Sequence, residues 1–232
     1  MTFGGELMCV SELSDSKIVD SWRKNALPWT TAVRAGQIAS RQLCTNQAIV
    51  DAVMSRAPRS VLDVGCGEGW LARDLGAKGV RVTGVDVVPV LVEQARSAGG
   101  ADFHILSYEE LAAGALQLSF DVVVCNFSLL GKESVEGLFT AFPSLLTPEG
   151  ATVIQTLHPV VACGNHPYED GWRRGSWDGF SADFTDPAPW YFRTWEGWNA
   201  LFARSRLSLV EVREPRVGRS AEPASIIFIV EK

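Results

Sequence analysis

The chain has 232 residues, 47% of them hydrophobic and 21% charged, and carries a formal net charge of −6. That is ordinary globular composition, with enough length for one α/β domain and an elaboration. The acidic balance and the absence of clustered Lys and Arg exclude a broad nucleic-acid footprint, and no apolar run approaches the length that crosses a bilayer.

Met1 to Val10 lacks a basic start and a sustained apolar stretch, so a signal peptide is not expected. Residues 1–57 read as a helical cap, with Trp22 and Trp29 flanking a helix. Thr45 is expected to cap a second helix, whose Ile49, Val50 and Val53 form an apolar stripe; Arg34 and Arg41 precede it.

From residue 60 onward apolar strands alternate with helical patterns, the signature of a parallel sheet covered on both faces. Strands are expected at 60–65, 81–86, 102–106, 120–126 and 151–157, with helices at about 69–78, 89–98, 108–113 and 133–146. Thr147-Pro148-Glu149-Gly150 reads as a turn before the fifth strand. Residues 158–192 are rich in Pro, Gly and Trp and show no period. A segment of that length fits a lid, and its aromatic content argues against disorder. A helix at about 194–205 then precedes strands at 206–213 and 225–231, joined as a hairpin through Pro215, Gly218 and Pro223.

The five cysteines, Cys9, Cys44, Cys66, Cys125 and Cys163, are odd in number and contain no C-x-x-C pair. This usage suits reduced thiols and a cytoplasmic setting.

The most informative stretch is Val61-Leu62-Asp63-Val64-Gly65-Cys66-Gly67-Glu68-Gly69-Trp70-Leu71. A strand runs into three alternating glycines and then a helix. Asp86 closes the next strand, where a carboxylate can hold a ribose diol. The combination points to a nucleoside-containing ligand. A dinucleotide is disfavoured because Trp70 stands where the pyrophosphate fingerprint needs its last glycine. Asp63 and Glu68 would repel a pyrophosphate and attract an ammonium or sulfonium. A Walker loop is excluded by the missing Gly-Lys-Ser/Thr.

The pattern D-x-G-x-G-x-G with an acid ending the following strand resembles that of class I S-adenosylmethionine-dependent methyltransferases, over roughly residues 45–160. The likeness is greatest to small-molecule enzymes of the ubiquinone and menaquinone biosynthesis type. It implies a Rossmann-like, doubly wound α/β fold: a seven-stranded, mostly parallel sheet with an antiparallel last strand, N-terminal helices and a lid insertion after strand five. The implied division is a helical cap at 1–57 and a cofactor-binding domain at 58–232 that includes the lid at 158–192.

The implied cofactor is S-adenosyl-L-methionine. Gly65, Cys66, Gly67 and Gly69 would lie along its methionine part and Asp63 near its amino group. Asp86 and Val87 would take the ribose. Ser107 and Tyr108, after strand three, stand where adenine is read, although Ser107 with Glu110 also fits a helix capping box. Asn126 would hold the methionine end, and one of the two N-terminal arginines, Arg41 or Arg34, would reach its carboxylate. The fourth strand ends Asn126-Phe127-Ser128 without the Pro-Pro box of enzymes that methylate exocyclic base amines, so nucleic acid is not the expected acceptor.

A small-molecule acceptor would sit beyond the strand ends, with Trp29, Tyr168, Trp190 and Tyr191 as pocket residues. His158, ending strand five, is the base by position, should the acceptor need to lose a proton. His158, His166, Glu169 and Asp170 match no recognised metal site, and no metal is expected. His104 lies inside strand three and reads as structural. The aromatic segment could instead pack or dimerise, which leaves a homodimer open. Two other readings stay open: a non-catalytic protein that binds S-adenosylmethionine or its demethylated product, and an NAD-dependent oxidoreductase.

Overall fold

A computed structural model describes residues 12–232. The start of the expected cap, residues 1–11 with Cys9, lies outside the described residues.

The first helix, α1 (Asp15–Arg34), begins at Ser14, whose hydroxyl accepts the Lys17 amide at 3.3 Å. Trp22 and Trp29 do not flank this helix but lie within it, two turns apart on one face, with ring centroids 5.0 Å apart, edge to face. A π-helical turn at Arg41–Thr45 then runs directly into α2 (Asn46–Met54). Thr45 is therefore not an N-cap. Its backbone is already helical, its side chain is buried and makes no cap bond, because the turn upstream supplies the start.

The α/β alternation follows as β1 (Ser60–Val64), α3 (Trp70–Ala77), β2 (Arg81–Asp86), α4 (Pro89–Ala98), β3 (Asp102–Ile105), α5 (Tyr108–Ala112), β4 (Phe120–Asn126), α6 (Glu133–Leu145) and β5 (Leu146–Thr156). Next come α7 (Pro159–Cys163), β6 (Gly171–Arg173), β7 (Trp190–Phe192), α8 (Trp195–Arg204), β8 (Ser208–Arg213) and β9 (Ile226–Glu231). The main sheet has seven strands in the order β3-β2-β1-β4-β5-β9-β8. Only β9 runs against its neighbours β5 and β8.

Alternation along each strand divides the core between the two faces of the sheet. Leu62, Val123 and Cys125 pack with Phe139 and Phe142 of α6 and with Trp198 and Phe202 of α8. Val61, Val122 and Val124 pack with Ile49 and Val53 of α2 and with Leu71 and Leu75 of α3. The last strand, β9, is covered on both faces, so Ile226 through Val230 are all buried. The sheet's two edges are β3 and β8, and burial alternates along β8.

The expected turn at 147–150 falls inside β5. Phe120 pairs with Leu146 and Val122 with Ala151, so four residues bulge out opposite Asp121.

The sheet's winding reverses between β1 and β4, which opens a crevice beyond their carboxyl ends. The segment 158–192 is structured: β6 and β7 pair antiparallel, and the loop between them is tied to α1. The Asn25 side-chain amide donates to the Thr185 carbonyl at 2.7 Å and accepts the Thr185 amide at 2.9 Å. Ser21 donates to the Asp186 carbonyl at 2.6 Å, and the Asp186 carboxylate takes Lys17 and Lys24. Trp177 packs edge to face on Trp22, and Phe180 lies beside Trp29. Among the described residues no helix is long and apolar enough to cross a membrane.

Candidate functional site

A cavity of about 290 Å³ opens at the switch point, between the ends of β1, β2 and β4 and the Trp22–Trp29 face of α1. The glycine loop forms its floor, and its three glycines are needed for different reasons. Gly65 has φ +74, and a Cβ there would meet Ser128 Cβ at 2.3 Å. Gly69 has φ +84 and a Cβ would meet Phe103 and Ala95 within 3 Å, so it serves the packing of α3 and does not line the cavity. Gly67 has φ +57 and open space above it, limited only by Trp29 Nε1 at 3.8 Å. It is the glycine that lets a ligand approach the backbone.

Asp86 holds this loop in place. One carboxylate oxygen accepts the Gly67 amide at 2.9 Å and the other the Val88 amide at 2.9 Å. Burial raises its pKa, against the lowering effect of the amides of Val88, Gly67 and Val87. On the other wall, Ser128 donates to the Val64 carbonyl at 2.7 Å, and Tyr108 donates to the Ser128 carbonyl at 2.9 Å. Ser107 makes both bonds of the capping box with Glu110 and lines the cavity as well. Phe127, at φ +54, turns the chain out of β4 while its amide donates to the Gln155 carbonyl at 2.8 Å.

Three buried polar atoms on the cavity wall have no hydrogen-bond partner: Asp63 Oδ2, Asn126 Oδ1 and Arg41 Nη1. Leaving such groups unpaired costs on the order of 1–3 kcal/mol each, more when charged. Asp63 is 2% exposed, and burial, with the nearby Asp86 charge, pushes its carboxyl up to about 7. Arg41 is stacked over Trp29 at 4.9 Å and Trp70 at 5.8 Å. Burial brings its guanidinium down to about 10, against the opposing pull of Glu68. A zwitterionic amino acid end would satisfy this set, with its ammonium toward Asp63 and its carboxylate toward Arg41.

Glu68 does not present the open negative charge that its place in the loop suggests. It is buried between Arg34 and Arg73, each at 2.8 Å. The same pair removes Arg34 as an alternative to Arg41, since Arg34 also binds the Gln94 carbonyl at 2.9 Å.

Of the site residues expected from sequence, the fold brings Asp63, Gly65, Cys66, Gly67, Asp86, Val87, Ser107, Tyr108, Asn126, Arg41 and Trp29 to one cavity. It places others elsewhere. His158 is not on the wall; its Nε2 meets Glu214 Oε1 at 3.1 Å, because the chain turns into α7 away from the crevice. Tyr168 accepts the Trp195 amide at 2.9 Å through its hydroxyl, and Trp190 packs on Phe192. Tyr191 donates its amide to the Leu130 carbonyl at 2.7 Å, and its ring lies 4.8 Å from the Arg193 guanidinium. None of these three lines the cavity.

Sequence reasoning missed the residues of α1 that take their place, Asp15, Ile18, Val19 and Trp22. Asp15 accepts the Lys132 amide at 2.8 Å and the Ser134 amide at 2.6 Å, capping α6 from another helix. The helical spacing of Ile18, Trp22 and Trp29 was the available signal. Arg193 was also missed; buried, it donates to the Gly131 carbonyl at 2.9 Å and fixes the loop beside Asp15.

Residues 61–150 match a family described as a methyltransferase domain. The chain is similar to a ubiquinone biosynthesis O-methyltransferase of Xanthomonas axonopodis pv. citri (strain 306), with 37% identity over 118 residues. That match covers 49% of this chain and 49% of the relative, about half the length of each. Its fold is similar to an S-adenosylmethionine-dependent methyltransferase from Mesorhizobium loti, with TM-score 0.60 and 21% identity over 79% of this chain and 98% of that one. It is also similar to Burkholderia thailandensis 1,6-didemethyltoxoflavin-N1-methyltransferase, whose structure holds 1,6-didemethyltoxoflavin and S-adenosylhomocysteine. There the TM-score is 0.64 and the identity 15%, over 93% of this chain and 90% of that one.

Proposed function

We propose that this chain is a class I S-adenosylmethionine-dependent methyltransferase that uses the cavity to bring S-adenosylmethionine and a small-molecule acceptor together for in-line methyl transfer. The observation that carries the reading is the set of unpaired buried groups lining the cavity. Asp63, Asn126 and Arg41 offer a carboxylate, an amide oxygen and a guanidinium, the partners that the ammonium and carboxylate of an amino acid end need. Asp86 beside Gly67 supplies the carboxylate for a ribose diol, and Ser107 and Tyr108 border the region beyond it.

The cofactor, when bound, supplies an electrophilic methyl on a sulfonium with a neutral leaving group. The protein's task is alignment and the exclusion of water. Trp22, Trp29, Ile18 and Val19 of α1 form an apolar wall opposite the glycine loop, suited to the acceptor. Arg41, sandwiched by Trp29 and Trp70, binds the amino acid carboxylate. Asp63 gives up its proton as an ammonium approaches.

In this reading residues 1–57 are the helical cap and 58–232 the cofactor-binding domain. The insertion 158–192 serves as a lid by buttressing α1, through Trp177, Phe180 and the Asn25–Thr185 bonds. The likeness to didemethyltoxoflavin and ubiquinone enzymes favours a small organic acceptor over a nucleic acid. The unpaired cysteines of the described residues suit a cytoplasmic setting. Calorimetry with S-adenosylmethionine, S-adenosylhomocysteine and NAD tests the reading. Binding of the first two is expected, with a rise in melting temperature; tighter binding of NAD would overturn it.

A further inference from the structure

We propose that Glu68, acting through Arg34, is a positioning residue for the reaction: the pair holds the second half of α1, and with it Trp29, over the glycine loop. This rests on the reading of the cavity given above. The Glu68 side chain is fully buried, and Arg73 alone already spans both its oxygens at 2.8 Å while also donating to the Glu68 carbonyl at 2.6 Å. Both contacts come from the single Arg73 Nη2, which neutralises the carboxylate and leaves lone pairs on it free to accept another donor. The bond from Arg34 Nε, at 2.8 Å to Oε2, is therefore a link from the last turn of α1 to the loop beneath it. The Arg34 fork is completed by the Gln94 carbonyl at 2.9 Å and the Gln94 side chain at 3.2 Å, which ties the same turn to α4.

The two halves of α1 are held differently. The first is bolted by Asp15 to the start of α6 and by Ser21 and Asn25 to residues 185–186. Pro28 follows, inside the helix, and has no amide to donate to the preceding turn. Beyond it, Trp29 covers Gly67 and stacks on Arg41, and Arg34 is the one ion-paired side chain of that half among the described residues. Ala35 and Gly36, the latter at φ +64, then end the helix. Glu68, with Gln94, thus sets Arg34, Arg34 anchors the segment after Pro28, and that segment, with Trp22 and Phe180, sets the ring against which Arg41 is ordered. With Arg34 released, residues 29–36 can pivot at Pro28 and lift Trp29 from the loop, while Arg73 keeps Glu68 neutralised.

The test is amide hydrogen exchange on the full chain for native protein, Arg34→Ala, Arg34→Lys and Glu68→Gln, with calorimetry of S-adenosylhomocysteine on each. In Arg34→Ala, exchange across 29–36 is expected to quicken by roughly tenfold or more while 16–27 is unchanged. The product is expected to bind about 5- to 50-fold more weakly, as Arg41 loses its ordered ring. Arg34→Lys should recover much of the protection, and Glu68→Gln should reproduce the change at 29–36. Unchanged exchange at 29–36 in Arg34→Ala overturns the proposal. So does an acceleration spread evenly over the domain with no recovery in Arg34→Lys, the mark of a merely structural pair. If native protein binds no S-adenosylhomocysteine, the reading of the cavity fails, and the exchange comparison still decides the role of Glu68 and Arg34.

Discussion

Asp63, one residue short of the end of β1, and Asp86, at the end of the neighbouring β2, share one cavity, yet only Asp86 is satisfied by backbone amides; Asp63 Oδ2 has no partner. Burial, and then the charge of Asp86, lift the Asp63 carboxyl from 3.8 to about 7. Its contribution to stability is therefore fully present below pH ~4 and is lost as pH rises through about 7. Asp63→Asn should then melt higher than native protein at pH 8, with the difference shrinking towards pH 5. An approaching ammonium reverses the cost, so cofactor binding below pH 7 should release a proton. Calorimetry in buffers of different ionisation enthalpy measures that release, and a buffer-independent heat would contradict it.

Asp86→Ala should weaken cofactor binding by about 10- to 150-fold, the loss of charge-assisted bonds of roughly 1.5–3 kcal/mol. Stability should fall too, by on the order of 1–3 kcal/mol, because the Gly67 and Val88 amides lose their acceptor. Titration calorimetry and urea unfolding separate the two effects. Unchanged affinity would place the ribose elsewhere.

Trp22→Leu should lower acceptor turnover with little effect on cofactor affinity, since Trp22 lines the α1 side of the cavity. Trp190→Leu, which removes a ring packed on Phe192 and outside the cavity lining, should instead lower the melting temperature and spare specific activity per folded molecule. Steady-state kinetics on both variants, normalised to folded protein, provides the comparison; equal kinetic damage would show that the wall extends further than α1.

His158→Gln should leave turnover within about threefold of native across pH 6–9, because a base must reach the proton it removes. The His158 ring is turned to Glu214 and away from the cavity. A loss of 10²-fold or more, the usual contribution of a general base, would restore it to the reaction.

Much of this protein was legible in local sequence. Near-continuous apolar runs such as Val122 to Cys125 mark buried parallel strands, and Gly65, Gly67 and Asp86 mark the ligand end of the sheet, because burial and backbone conformation act over a few residues. Other features are set by partners distant in the chain. Arg34 and Arg41 look alike in sequence, but only packing sends Arg34 to Glu68 and Gln94 and leaves Arg41 Nη1 unpaired. Glu68 reads as an open charge until Arg73 and Arg34 close on it. His158 ends the right strand, yet the turn into α7 points it at Glu214. Aromatic density drew Tyr168, Trp190 and Tyr191 into the expected pocket beside Trp29, whereas α1 lines the cavity and the insertion braces it, since a ring's neighbours depend on how helices cross and not on their composition. Local periodicity determined the sheet and the loop; long-range pairing of charges and rings decided which side chains line the cavity.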